Sequence, residues 1–158
     1  MVKMWTITGL LLSVIVSAVV SPAKQPPREF FGLSLGMNEE TVHRRLRKIA
    51  TQQKEEKERE EGGEQEVWIL KRDSKFNYLL TKFSNEHRLT WITVVAHPNR
   101  VRYTDIASLE LATKATDGIN YSYKWTVTAT KQHPAFLIIA RGSTPDFLTS
   151  FSVYPIIR

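Results

Sequence analysis

The densest hydrophobic patterning runs from Asn77 to Pro98, NYLLTKFSNEHRLTWITVVAHP. Tyr78, Leu79, Leu80 and Phe83 precede a polar quartet, Ser84-Asn85-Glu86-His87, and Leu89, Trp91, Ile92, Val94 and Val95 follow it. β-branched and aromatic residues on both sides of a turn predict a hairpin. On its second strand, Ile92, Val94 and Ala96 share one face and Leu89, Trp91 and Val95 the other. A strand apolar on both faces needs cover on both.

One cover is a helix within GLSLGMNEETVHRRLRKIA, Gly32 to Ala50. Asn38 suits an N-cap, Glu39 and Glu40 suit the positive first turn, and Val42, Leu46 and Ile49 form a single apolar stripe. The other cover is either a partner protein, which makes Leu89, Trp91 and Val95 candidate partner-binding residues, or a second helix over Tyr103–Thr116. In that segment Ile106, Leu109 and Ala112 share a face.

Between helix and hairpin, Thr51–Glu66 contains no large apolar residue. It reads either as a solvated helical extension, with Glu55–Arg59, Lys54–Glu58 and Lys57–Glu61 at i,i+4 spacing and a stop at Gly62-Gly63, or as a charge-balanced mobile loop. Val67–Arg72 is a short strand turned by Asp73-Ser74. Ile119–Thr130 alternates cleanly, with Ile119, Tyr121, Tyr123, Trp125, Val127 and Ala129 on one face, which predicts one buried face and one wet face. The aromatic row is therefore core-facing rather than a stacking platform for sugars or bases. Ala135–Arg141 and Phe147–Tyr154 complete the strands. The expected fold class is α+β: an antiparallel sheet with helices on one face, built as a tandem α-β-β-β repeat with halves 30–98 and 99–158.

Residues 1–23 read as a signal peptide or an N-terminal membrane anchor. Lys3 precedes the uncharged run Thr6–Val20, and Ser21-Pro22-Ala23 offers a cleavage site. The run is shorter than the ~20 residues of a usual spanning helix. Both versions place the remainder outside the cytoplasm, periplasmic or secreted. Lys24–Glu29, with Pro26-Pro27, is a stiff linker to a single domain over 30–158.

Composition removes several classes. The chain has 158 residues, 42% hydrophobic, which suffices for a core, and no cysteine, which excludes disulfides, thiolate sites and a lipidated cysteine. The net charge of +6 favours anionic partners. Export disfavours nucleic acid and leaves anionic lipid or glycan, with Lys71, Arg72, Lys75, Lys82, Arg88, Arg100 and Arg102 as candidate contacts. His43, His87, His97 and His133 fall on different predicted elements without HxxxH or HExxH spacing, so no metal is expected. No P-loop, GxGxxG or GxSxG occurs, and Asp73, Glu86, Asp105, Asp117 and Asp146 sit at turns or caps. The expectation is a non-enzymatic protein with no catalytic or cofactor-binding residues.

LGMNEETVHRRL, the strand bearing Trp68, and the hairpin segments LLTKF and LTWIT together cover about a third of the chain. They resemble the small outer-membrane lipoproteins of the β-barrel assembly machinery and the related β-lactamase-inhibitor-protein fold. In those families a helix begins after a Gly-Met-Thr-type signature, a place held here by Gly36-Met37-Asn38. The resemblance implies an envelope protein that contacts another protein through its sheet or helices. Unlike the lipoproteins, this chain has no cysteine after the leader, and its second unit is similar to the tandem arrangement of the inhibitor proteins.

Overall fold

The structure, a computed structural model, describes residues 22–56, 65–72 and 74–156, with the backbone alone for 52–56. The segment 1–23 read as a signal peptide or anchor lies outside these apart from its last two residues. So do the Gly62-Gly63 stop, Asp73 and the three i,i+4 pairs considered for the insert.

The helix forms where its cap and stripe predict. α1 (Glu39–Ile49) starts at Asn38, whose side chain accepts the Glu40 N–H at 3.0 Å, and it buries Val42 and Leu46. At Ala50 the backbone turns extended, and the chain enters β1 (Ala50–Glu56), which pairs with β2 (Gln65–Leu70). Neither a helical rod nor a loop is therefore found over residues 51–56. A charged, Gln-rich segment is what an edge strand tolerates, because charge there opposes further strand pairing. Pairing with β2 overrides the helix propensity of Gln, Lys and Glu. β3 (Phe76–Phe83) and β4 (Leu89–Ala96) form the expected hairpin.

The second half departs further from expectation. In place of a helix over 103–116 there is one turn, α2 (Tyr103–Ile106), then a 3-10 turn (Leu109–Leu111), then β5 (Thr113–Thr116). The break lets the Ser108 carbonyl accept the Trp125 indole N–H at 3.0 Å. Asp117 then accepts the Ile119 and Asn120 N–H groups, closing a tight turn into β6 (Tyr121–Val127). Ile119, expected on the buried face, is 75% exposed at that turn, and Ala129 lies exposed beyond the strand. β7 (Phe136–Gly142) and β8 (Ser150–Pro155) complete the set.

Among the described residues, eight strands join one antiparallel sheet in the order β1-β2-β3-β4-β8-β7-β6-β5. It consists of two four-stranded meanders meeting at β4–β8, each preceded by a helix. The repeat is thus α-β-β-β-β, one strand longer than the expected unit, and β1 and β5 are the strands unseen in the sequence. The protein is mostly β, and α+β describes it only loosely.

One sheet face is core. Trp68, Leu79, Val94, Phe151, Ala140 and Tyr123 lie in register across it, and Glu66, Thr81, Ile92, Val153, Ile138 and Trp125 form the next row. All twelve are buried. α1 meets this face through His43, whose ring packs on Trp68 and Phe83, and the α2 segment meets it through the Trp125 bond. The Lys24–Glu29 linker is docked on the second half. The Lys24 carbonyl accepts the Ser108 backbone N–H, the Lys24 N–H donates to the Ser108 hydroxyl, and Arg28 donates to the Thr128 carbonyl.

Candidate interaction face

Because α1 and the α2 segment lie on the same face, the opposite face has no cover among the described residues. The reading in which 103–116 covers Trp91 is overturned. In register across the open face stand Gln65, Lys82 and Trp91; then Val67, Leu80, Thr93, Ser152, Ile139 and Lys124; then Ile69, Tyr78, Val95, Ser150 and Arg141. Tyr154 and Leu137 pair with each other and extend the Trp91 row. Val67, Ile69, Tyr78, Leu80, Val95, Leu137 and Ile139 are only partly buried, so a largely apolar surface spans both halves. Between β2 and β5 its charged residues are Lys82, Lys124 and Arg141, with no acid among the described residues.

Of the three candidate partner-binding residues, Trp91 and Val95 lie here and Leu89 does not. Leu89 is 1% exposed and opposes Phe83 on the core side. The register shifts between Lys82 and Phe83, since Lys82 opposes Trp91 while Phe83 opposes Leu89. The extra residue, Thr90, makes a bulge that returns Leu89 to the core, and strict alternation cannot anticipate it.

A polar centre sits at the seam of the halves. Thr93 and Ser152 share a hydroxyl bond of 2.6 Å across β4–β8. Above them the Trp91 and Tyr154 rings lie 6.1 Å apart. Burial pushes the Tyr154 phenol up. Polar contacts to Ser152, Arg141 and Trp91, with the Arg141 charge, more than offset this and hold it below the ordinary tyrosine range. The Trp91 indole N–H is shut off from solvent and approaches that phenol without closing a full hydrogen bond. The centre is therefore a cation-bearing group of hydroxyls and an indole N–H ringed by apolar side chains. Sequence reading found Trp91 there and missed Thr93, Arg141, Ser152 and Tyr154, which meet only through the β4–β8 and β7–β8 pairings.

The candidate anionic contacts divide by strand direction. Lys71 and Arg72 follow β2, Lys75 precedes β3, and Arg100 and Arg102 follow β4, so these five share one end of the sheet. Arg88 sits in the opposite hairpin turn, and Lys82 is on the open face. Two of the five are partly engaged: Lys71 donates to the Lys48 carbonyl at 2.7 Å, and Arg102 stacks over Phe147 at 5.5 Å.

The histidines are less scattered than their positions suggest. His97 and His133 stay apart, but His43 and His87 converge with Glu39 and Glu66 beside α1. The i,i+4 spacing of Glu39 and His43 was the available signal, while Glu66 and His87 arrive from β2 and from the hairpin turn. No family model, curated protein or solved structure matches the chain.

Proposed function

We propose that this chain is an exported, non-enzymatic protein-interaction module of the cell envelope whose open sheet face receives another protein. The observation that carries the reading is the continuous, partly exposed apolar surface across both halves, centred on Trp91 and Tyr154. Apolar patches of this kind mark interaction sites, and Trp, Tyr and Arg are the residue types most enriched among binding hot spots. The charge pattern supports one partner chemistry. With Lys82, Lys124 and Arg141 and no acid on the described part of the face, the fitting occupant is a protein surface of apolar and aromatic groups interspersed with Asp or Glu. Export rests on Lys3, the Thr6–Val20 run and Ser21-Pro22-Ala23.

The test is site-specific photo-crosslinking in cells. A photoreactive side chain at Leu80 or Ile139 should give one discrete protein adduct, weakened by Arg141→Glu. The same group at the exposed Ile119 or Leu111, off the face, should give none. Equal adducts from all four positions, or adducts to lipid alone, contradict the reading.

The second reading is a binder of anionic lipid or glycan, favoured by the five cations gathered at one sheet end. Its binding should collapse on raising salt from about 0.05 to 0.5 M, as exposed charges are screened, whereas an apolar interface persists.

A further inference from the structure

The cluster beside α1 is built as a site, and it stands apart from the open face. The segment entering α1 is clamped to the β3–β4 hairpin by three backbone bonds: Gly36 N–H to Leu89 O at 2.7 Å, Leu89 N–H to Met37 O at 2.9 Å, and Glu39 N–H to His87 O at 3.0 Å. His87 adopts a left-handed backbone, φ 55°, uncommon for a residue with a side chain, and its ring meets Glu39 with Nδ1 2.6 Å from Oε2. One helical turn on, His43 Nε2 lies 3.8 Å from Glu39 Oε1 and 2.9 Å from Glu66 Oε1. Glu66 is 4% exposed, and its Oε2 accepts the Trp68 indole N–H at 3.1 Å and the Thr81 hydroxyl at 3.4 Å.

We infer that Glu39, His43 and Glu66 bind a divalent transition-metal ion of the zinc class, with His87 orienting the Glu39 carboxylate from outside. One donor atom from each of the three residues lies within 4.8 Å of the others. A tetrahedral zinc site with bonds of about 2.0–2.1 Å holds its donors about 3.3 Å apart. The two separations from His43, 2.9 and 3.8 Å, bracket that spacing, and the two carboxylates lie within 4.8 Å of each other, so side-chain adjustment would be needed to close the set on an ion. One imidazole with two carboxylates suits zinc, manganese or cobalt better than magnesium or calcium, which take all-oxygen sets. The outer partners also match a metal site. Ligating carboxylates are themselves hydrogen-bonded, as Glu66 is by Trp68 and Thr81 and Glu39 by His87. Glu39 and His43 are 19% and 18% exposed at the side chain, so an ion can reach the cluster from solvent.

The test uses the untagged full chain, stripped with chelator and titrated with zinc chloride by calorimetry and with cobalt chloride by visible absorption. One ion per chain should bind, raise the melting temperature and, for cobalt, give tetrahedral d–d bands. Glu39→Gln and His43→Gln should each weaken binding at least about tenfold, and His87→Ala by about 10–100-fold, as expected for an outer-shell partner. His97→Ala and His133→Ala should leave it unchanged. If His43→Gln does not fold, Glu39→Gln at the rim decides. Absence of one-to-one binding by the wild-type chain, or affinity unchanged in Glu39→Gln, overturns the inference and leaves a hydrogen-bonded His–Glu pair of purely structural use.

Discussion

Tyr103 illustrates how a single residue ties the second half together. Its ring is 1% exposed and packs 4.5 Å from that of Tyr123, while its hydroxyl donates to the Tyr121 and Thr144 carbonyls. Burial, reinforced by the charges of Tyr123 and Tyr121 when ionised, pushes its phenol to about 12. A group whose folded pKa is raised stabilises the fold fully below its unfolded pKa, near 10, and loses that contribution as pH rises towards 12. Between pH 9 and 11 the wild-type chain should lose about 1 kcal/mol more stability than Tyr103→Phe, read from urea midpoints. The opposite shift of Tyr154 is present in both chains and drops out of the comparison. Parallel curves would mean that Tyr103 is not buried. At this scale the sequence was most legible where alternation was strict. Tyr123, Trp125 and Val127 fall on the core face as their spacing requires, whereas Leu89 and Ile119 escape through a bulge and a turn.

Among elements, the hairpin β3–β4 and the capped helix α1 were readable because each carries a complete local signal: period-two burial in one, a cap with an apolar stripe in the other. β1 and β5 carry none. Ala50–Glu56 has no apolar alternation, and Thr113–Thr116 is exposed throughout, so each exists as a strand only because a neighbour supplies its hydrogen bonds. The site residues outside Trp91 and Val95 were hidden for the same reason: β8 lies beside β4 although more than fifty residues separate them in the chain. The junction of β7 with the loop that precedes β8 depends on close approach. A Cβ at Gly142 would stand 2.3 Å from the Phe147 carbonyl oxygen and 2.5 Å from the Tyr103 hydroxyl. The first contact is with backbone and cannot rotate away. Gly142→Ala should cost about 1–3 kcal/mol or more in chemical denaturation, as overpacking does, and a neutral result would mean that the loop stands off from β7.

At the scale of the molecule, eight strands form one sheet with a helical segment from each half on the same face. That arrangement commits one surface to the core and leaves the other, with Trp91, Tyr154 and the Arg141 charge at its seam, without cover among the described residues. The most direct measurement introduces Trp91→Lys into the full chain carrying the photoreactive side chain at Leu80, and reads melting and adduct formation together. Trp91 belongs to the open face, so the variant should fold with a loss of about 1–2 kcal/mol, well short of the 3–5 kcal/mol typical of removing a core aromatic, and the protein adduct should disappear. A variant that unfolds would place Trp91 in the core. A folded variant with its adduct undiminished would move the interface away from this face.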